Sequence, residues 1–272
     1  MIEPFLKDGA FLASVREARQ LKDEVHIWWL GQSGFLIHSG DAFALIDPYL
    51  SDSLTKKYVA TDKPHVRMTA RVVEPERLDF IDVVTSSHNH TDHLDAETLI
   101  PLRAANPNLK MIIPEVNRAF VADRLKTNPA WPIGLSDGER TSLAGFDFIA
   151  VPAAHETIEP QFLGYVIQTG GVSIYHSGDT ILYEGMAERL KYFHLDLALL
   201  PINGAKPERR VAGNLNGVEA ARLAYDAGVV CVVPCHYEMF EFNTASPDEF
   251  VSEARRLQQK YRVLRAGERM DL

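Results

Sequence analysis

The chain has 272 residues, of which 46% are hydrophobic and 24% charged. Those proportions describe an ordinary globular protein with enough apolar mass for a sizeable core. The formal net charge of −9 repels a polyphosphate backbone, which argues against nucleic acid as a partner. No run approaches the roughly 18 uninterrupted apolar residues of a membrane span. The segment Met1–Asp8 also lacks the basic and long apolar regions of a secretory signal. The expectation is therefore a cytoplasmic protein with no membrane partner; a homo-oligomer is compatible with the composition.

Only two cysteines occur, Cys231 and Cys235, in an apolar run that reads as a strand. At a rise of about 3.3 Å per residue their Cα atoms lie roughly 13 Å apart, beyond the ~7 Å a disulfide tolerates. Reduced thiols are expected. The chain carries no low-complexity segment, long Gly/Ser linker or short-period repeat, so it reads as one domain spanning 1–272.

In chain order, residues 3–22 predict a helix with Phe5, Leu6, Phe11, Leu12 and Val15 among its apolar positions. Strands are predicted over Val25–Leu30, Gly34–His38 and Ala42–Ile46, with Gly-Gln-Ser and Ser-Gly-Asp turns between them. Residues 80–87 read as a buried strand, and Asp95 as the cap of a helix over Ala96–Ala105. Further strands are predicted at Lys110–Ile113, Phe146–Val151, Leu163–Thr169, Val172–His176, Leu195–Leu200 and Val229–Pro234. Helices are predicted at Val116–Lys126, Tyr183–Tyr192, Gly217–Ala227 and Pro247–Tyr261, the last with Ser246 as N-cap and Glu249 placed for a capping box. Hairpin strands that later alternate with helices predict an α/β (α+β) chain, a four-layer αββα sandwich with its working loops at one edge of the sheets.

The strongest chemical signal is Ser87-His88-Asn89-His90-Thr91-Asp92-His93-Leu94-Asp95. Three imidazoles and a carboxylate packed so closely repel one another if protonated and compete for partners if buried. A divalent cation resolves both problems, because neutral imidazole and carboxylate are its natural ligands. His88 and His90, two positions apart in extended chain, point to one side. Asp92 and His93, where the chain turns toward the helix, are placed for a neighbouring ion.

This H-x-H-x-D-H arrangement resembles the signature of the metallo-β-lactamase superfamily, and four further segments resemble its other motifs in order. They are Asp47 at the end of an early strand, Ala153-Ala154-His155-Glu156, Ser177-Gly178-Asp179-Thr180 and Pro234-Cys235-His236-Tyr237. The resemblance implies that His88, His90 and His155 hold a first ion and that Asp92, His93 and His236 hold a second, with Asp179 between them. Asp47 then acts behind the ligands, and His176 supports the site or packs within its strand. His26, His38, His65 and His194 have no clustered partners and read as structural or surface residues.

Within the superfamily, Trp29-Leu30-Gly31-Gln32-Ser33-Gly34-Phe35, Leu45-Ile46-Asp47-Pro48-Tyr49-Leu50-Ser51 and Leu200-Pro201-Ile202-Asn203-Gly204 resemble the group typified by the L-ascorbate-6-phosphate lactonase. That resemblance implies hydrolysis of a small anionic molecule by hydroxide held between two divalent ions, Zn2+ or Mn2+, with iron also suited to the ligands. Asp92 and Asp179 are then the catalytic carboxylates. Arg209 and Arg210, with Asn203 and Asn214, are candidates for gripping the substrate's anionic group. The rival readings are a phosphodiesterase of the same fold, a di-iron redox protein and a non-catalytic metal-binding protein.

Overall fold

In the computed structural model, which describes residues 1–272, thirteen strands form two sheets. The first sheet is built from β1 (Val25–Gly31), β2 (Gly34–Ser39), β3 (Ala42–Ile46), β4 (Val83–Thr85), β5 (Lys110–Pro114) and β6 (Ile133–Leu135). The second contains β7 (Arg140–Leu143), β8 (Phe146–Ala154), β9 (Ile158–Thr169), β10 (Val172–His176), β11 (Leu197–Pro201) and β12 (Cys231–Cys235). The last strand, β13 (Arg269–Asp271), returns to the first sheet, so the orders are β13-β1-β2-β3-β4-β5-β6 and β12-β11-β10-β9-β8-β7.

Strand alternation divides the apolar side chains between two cores. Ile27 and Trp29 of β1, with Phe35, Ile37, Ala44 and Ile46, face the second sheet and join one cluster with Phe148, Tyr165 and Ile167. Trp28, Leu30, Leu36, Phe43 and Leu45 face the other way. They pack on α1 (Asp8–Ala18), α3 (Ala96–Ala105) and α4 (Arg118–Leu125) through Phe11, Val15, Leu99, Leu102 and Val121. The short α2 (Ser53–Tyr58) follows β3. On the far side of the second sheet lie α5 (Met186–Lys191), α6 (Gly217–Asp226) and α7 (Asp248–Leu257), which contribute Leu190, Leu223 and Phe250. The layers run helix, sheet, sheet, helix, the predicted αββα sandwich. No helix is long and apolar enough to cross a membrane.

Several predicted elements change extent. The first helix shrinks to Asp8–Ala18 because the preceding residues are used elsewhere: Ile2 bridges to Thr69 and the Phe5 amide donates to the Ala266 carbonyl at 2.7 Å. The strand predicted over 80–87 is only Val83–Thr85. In α7 the N-cap is Pro247 and no capping box forms. Ser246 Oγ instead bonds Asp248 Oδ2 at 2.7 Å, while the reciprocal box belongs to Asn216 and Glu219 of α6. Strands β6, β7 and β13 and helix α2 carry too weak a pattern to be read in advance. Cys231 and Cys235 are buried free thiols.

Parallel pairing sets the polarity of the site edge. β3, β4 and β5 run parallel, as do β10, β11 and β12, and β8 shares the direction of β10 because each is antiparallel to β9. The C-terminal ends of β3, β4, β8, β10 and β12 therefore emerge on common edges, just before Asp47, the His88–His93 segment, His155, Asp179 and His236.

Candidate metal centre

Seven side chains from four separate segments converge there in two overlapping groups. His88, His90, His155 and Asp179 place one potential ligand atom each within 4.8 Å of one another, as do Asp92, His93, Asp179 and His236. Asp179 belongs to both. All of them are buried except His90 and the partly covered Asp92.

Within the first group the His88 ring lies 4.6 Å from that of His90 and 5.3 Å from that of His155, centroid to centroid. In the second, His93 Nε2 is 3.2 Å from Asp179 Oδ1, and His236 Nε2 is 3.4 Å from Asp179 Oδ2 and 3.5 Å from Asp92 Oδ2.

Three of the five histidines have partners on their outward ring nitrogens that aim the inward ones, whereas His236 Nδ1 is buried without one. His93 Nδ1 bonds Asp47 Oδ2 at 2.8 Å, His155 Nδ1 donates to the Gly213 carbonyl at 3.1 Å, and His88 Nδ1 lies 3.0 Å from Ser87 Oγ. Asp47 is fully buried at a left-handed φ of 40°. It also accepts from the Ser87 amide at 3.0 Å and Thr85 Oγ1 at 2.8 Å, so it lies behind the cluster rather than in it. His176 accepts the Gly178 amide on Nδ1 at 3.2 Å and donates from Nε2 to the Ser33 carbonyl at 2.8 Å. This holds the turn that delivers Asp179. Gly178 is required in that turn: its φ is +60°, and a Cβ there would sit 2.7 Å from Ser87 Cβ and 2.9 Å from the Leu163 carbonyl oxygen.

The donor set fits divalent cations on an observation independent of motif order. His88 Nε2 is buried with no hydrogen-bond partner, and His93 Nε2 and Asp179 Oδ1, though 3.2 Å apart, make no well-aligned bond to each other or to anything else, a costly condition that coordination removes. The protonation pattern agrees. Burial opposes ionisation of Asp179, yet His236 and His93 hold it well below the usual carboxylate range. Burial likewise opposes the charged form of His236, but Asp179 and Asp92 raise it to about 9. His88 moves the opposite way, held well below the ordinary imidazole range by burial and by repulsion from His93 and His90.

His90, Asp92, His155, Asp179 and His236 of the cluster line a cavity of about 360 Å³, and the remaining wall differs from what charge alone suggests. Arg209, Arg210, Asn203 and Asn214 do not line it. Arg209 is buried and spends its guanidinium on the Asn203 carbonyl, Asn243 Oδ1 and the Thr244 carbonyl at 2.6, 2.9 and 2.6 Å. Arg210 pairs with Asp62. Asn214 Nδ2 donates to Asn203 Oδ1 at 3.0 Å, and both residues are buried. These residues brace a loop and are not placed to grip substrate.

The cations that do reach the cavity are Lys57, Lys63 and Arg124. Three more liners are given no site role by the sequence, although Gln32 falls within the Trp29–Phe35 motif. Gln32, at the β1–β2 turn, places Nε2 2.7 Å from Asp92 Oδ2. Asn243 lines the cavity and accepts from both Asn203 and Arg209 on Oδ1, with no hydrogen bond on its amide nitrogen. His65, read from the sequence as a structural or surface residue, stacks on Tyr58 at 4.5 Å and lines the cavity. Of the other unclustered histidines, His26 and His38 are buried and stacked on each other at 5.4 Å, while His194 is exposed.

Fold and cluster together define a class. Residues 44–237 match the model of the beta-lactamase superfamily domain, well over half of the chain, which belongs to that superfamily in its metallo-β-lactamase form. It also belongs among the UPF0173 metal-dependent hydrolases. A relative of that name from Thermococcus onnurineus is 31% identical over 234 residues, covering 83% of this chain and 90% of its own. One from Saccharolobus solfataricus is 25% identical over 248 residues, covering 90% and 98%. Among solved structures, the metallo hydrolase Igni18 from Ignicoccus hospitalis superposes with a TM-score of 0.66 at 24% identity, covering 92% of this chain and 98% of its own. That level of identity speaks for the fold alone.

Proposed function

We propose that this metal-dependent hydrolase carries a dinuclear centre and opens a lactone or comparable ester of a small anionic molecule. One observation carries the reading: two four-residue ligand groups share Asp179 and open on a cavity edged by Lys57, Lys63 and Arg124. His88, His90, His155 and Asp179 would hold one ion and Asp92, His93, His236 and Asp179 the other, either zinc or manganese. When bound, the pair supplies Lewis acidity and a water of lowered pKa.

The chain's own groups do the rest. Asp92 accepts Gln32 Nε2 on Oδ2, and no hydrogen bond engages Oδ1, which is left to orient a water or take its proton. Asn243 presents an amide donor for a substrate oxygen. Lys57, Lys63 and Arg124 supply the local positive charge that an acidic chain needs to attract an anion.

The test is a metal-reconstituted assay over a panel of lactones and phosphodiesters, with Asp179→Asn and His88→Ala as controls. Lactone turnover abolished by both substitutions is the expected result. Preference for phosphodiesters would replace the substrate class, and turnover that survives both substitutions would remove the site.

A further inference from the structure

Charge compensation is uneven across this chain. Neighbouring surface cations are paired: Lys56 with Glu97 at 2.7 Å, Arg67 with Asp52 at 2.6 Å and Arg210 with Asp62. The three cations that line the cavity are not, for no carboxylate oxygen comes within 4.0 Å of Lys57, Lys63 or Arg124. Lys63 donates to the Arg210 carbonyl at 2.6 Å, and Arg124 gives Nη1 to the carbonyls of Asn89 and Leu94 at 2.6 and 3.2 Å. Arg124 Nη2 and Nε have no hydrogen-bond partner, and the guanidinium lies over the Phe120 ring at 4.5 Å. Lys57 lies over the Tyr58 ring at 4.9 Å. In a chain with 37 acidic residues against 28 basic ones, three cations without a carboxylate partner stand around an opening whose own carboxylates, Asp92 and Asp179, belong to the ligand groups, so their charge is free for a ligand.

The same cavity has an apolar wall of separate origin. Tyr49, Leu54, Met239 and Phe240 form a small cluster apart from the two main cores, with Tyr58 packed against it. Leu54, Tyr58 and Phe240 reach the cavity. The His65 ring lies between Tyr58 and Phe240, at 4.5 and 5.1 Å, and its Nδ1 is 2.9 Å from the Lys63 carbonyl. Hydroxyl-rich small molecules ask for many hydrogen-bonding groups, whereas this wall offers carbon surface and aromatic faces.

We propose that the cavity selects an amphiphilic substrate, one molecule bearing both a compact oxyanion (phosphate or carboxylate) for Lys57, Lys63 and Arg124 and a small apolar or planar body for the Leu54–Tyr58–Phe240 wall. The proposal rests on reading the cavity as the hydrolase active site, and it adds the substrate's chemical form. Arg124 also ties the Asn89 and Leu94 carbonyls beside the ligand segment, so the two lysines are the cleaner handle.

Phenyl phosphate, inorganic phosphate and phenol are titrated calorimetrically into the zinc-loaded chain and into a Lys57→Gln, Lys63→Gln double variant of matched metal content. Phenyl phosphate is expected to bind about 10-fold or more tightly than either fragment, and the double substitution to weaken it by about 10-fold while leaving phenol little changed. Benzoate in a parallel series distinguishes a carboxylate from a phosphate requirement. Equal affinity of parent and variant for phenyl phosphate, or no binding by the parent, would overturn the cationic half; parity of phenyl and inorganic phosphate would overturn the apolar half. Because the readout is binding, a chain inactive on every lactone still answers the question. Hydrolysis of neutral lactones with no oxyanion preference would keep the hydrolase reading and sink this one.

Discussion

Gln32 donates its side-chain amide to Asp92 Oδ2 at 2.7 Å, and the same nitrogen lies 3.0 Å from His236 Nε2. One residue in the β1–β2 turn thus links two groups that are far apart in the chain. Its backbone carbonyl also accepts from the His236 amide at 2.9 Å and Trp29 Nε1 at 3.0 Å, and those bonds survive substitution of the side chain. Gln32→Ala is therefore expected to fold and to lose about 10- to 100-fold in metal affinity or in kcat/KM, the usual scale for a partner behind a ligand. Metal titration followed by assay checks this; unchanged values would show that Asp92 is positioned without it.

Asp47 has no exposure and holds His93, Ser87 and Thr85 together. Replacing it by alanine leaves a buried imidazole and amide without their acceptor. A loss of about 3–5 kcal/mol is expected for a broken buried pair, read from denaturant unfolding of the metal-free chain. Asp47→Asn keeps the shape and should cost less stability while still weakening metal binding.

Metal binding should release protons. In the metal-free chain, burial alone would keep His93 and His236 neutral, but Asp179 and Asp92 outweigh it. His93 is raised well above the imidazole range and His236 to about 9. Both rings are thus shifted toward the doubly protonated, charged form, and each must give up one proton to coordinate. Calorimetric titration with zinc in buffers of different ionisation enthalpy should show about two protons released per chain, and apparent affinity should climb as pH rises toward 9. Release of no protons would mean that these rings are already neutral or do not ligate.

A second pH dependence lies far from the site. Arg256 of α7 and Arg222 of α6 bond Glu253 at 2.7 and 2.6 Å and depress its carboxyl to about 2. A depressed acid contributes stability above its unfolded pKa of about 4.3 and loses it as pH falls through the folded value. Glu253→Gln should melt below the parent at pH 7, with the difference narrowing under pH 4.3 and gone near pH 2. A constant gap over that range would assign the effect to packing.

What the sequence disclosed follows how near the partners are along the chain. His88, His90, Asp92 and His93 are almost contiguous, so their chemistry is visible before any folding, and the strand ends at His155, Asp179 and His236 follow in family order. The αββα layering was legible from hairpin strands that give way to strands alternating with helices, and from the motif order. Gln32 lies in a quoted motif but its role there, like the places of His65 and Asn243, comes from tertiary approach across tens or hundreds of positions. Arg209 and Arg210 drew attention by charge, but charge carries no location. One of them is spent on backbone carbonyls and the other on Asp62, while Lys57, Lys63 and Arg124 face the cavity from helices and a loop of the other half.

The ligand groups have one more consequence. His88, His90, Asp92 and His93 leave the first sheet, whereas His155, Asp179 and His236 leave the second, and the Leu163 amide donates to the Ser87 carbonyl at 3.1 Å where the two edges meet. Cations seated there would rivet the halves of the sandwich at their rim, so thermal resistance becomes a property of the loaded molecule. A chelator should cost it rigidity along that seam as well as chemistry.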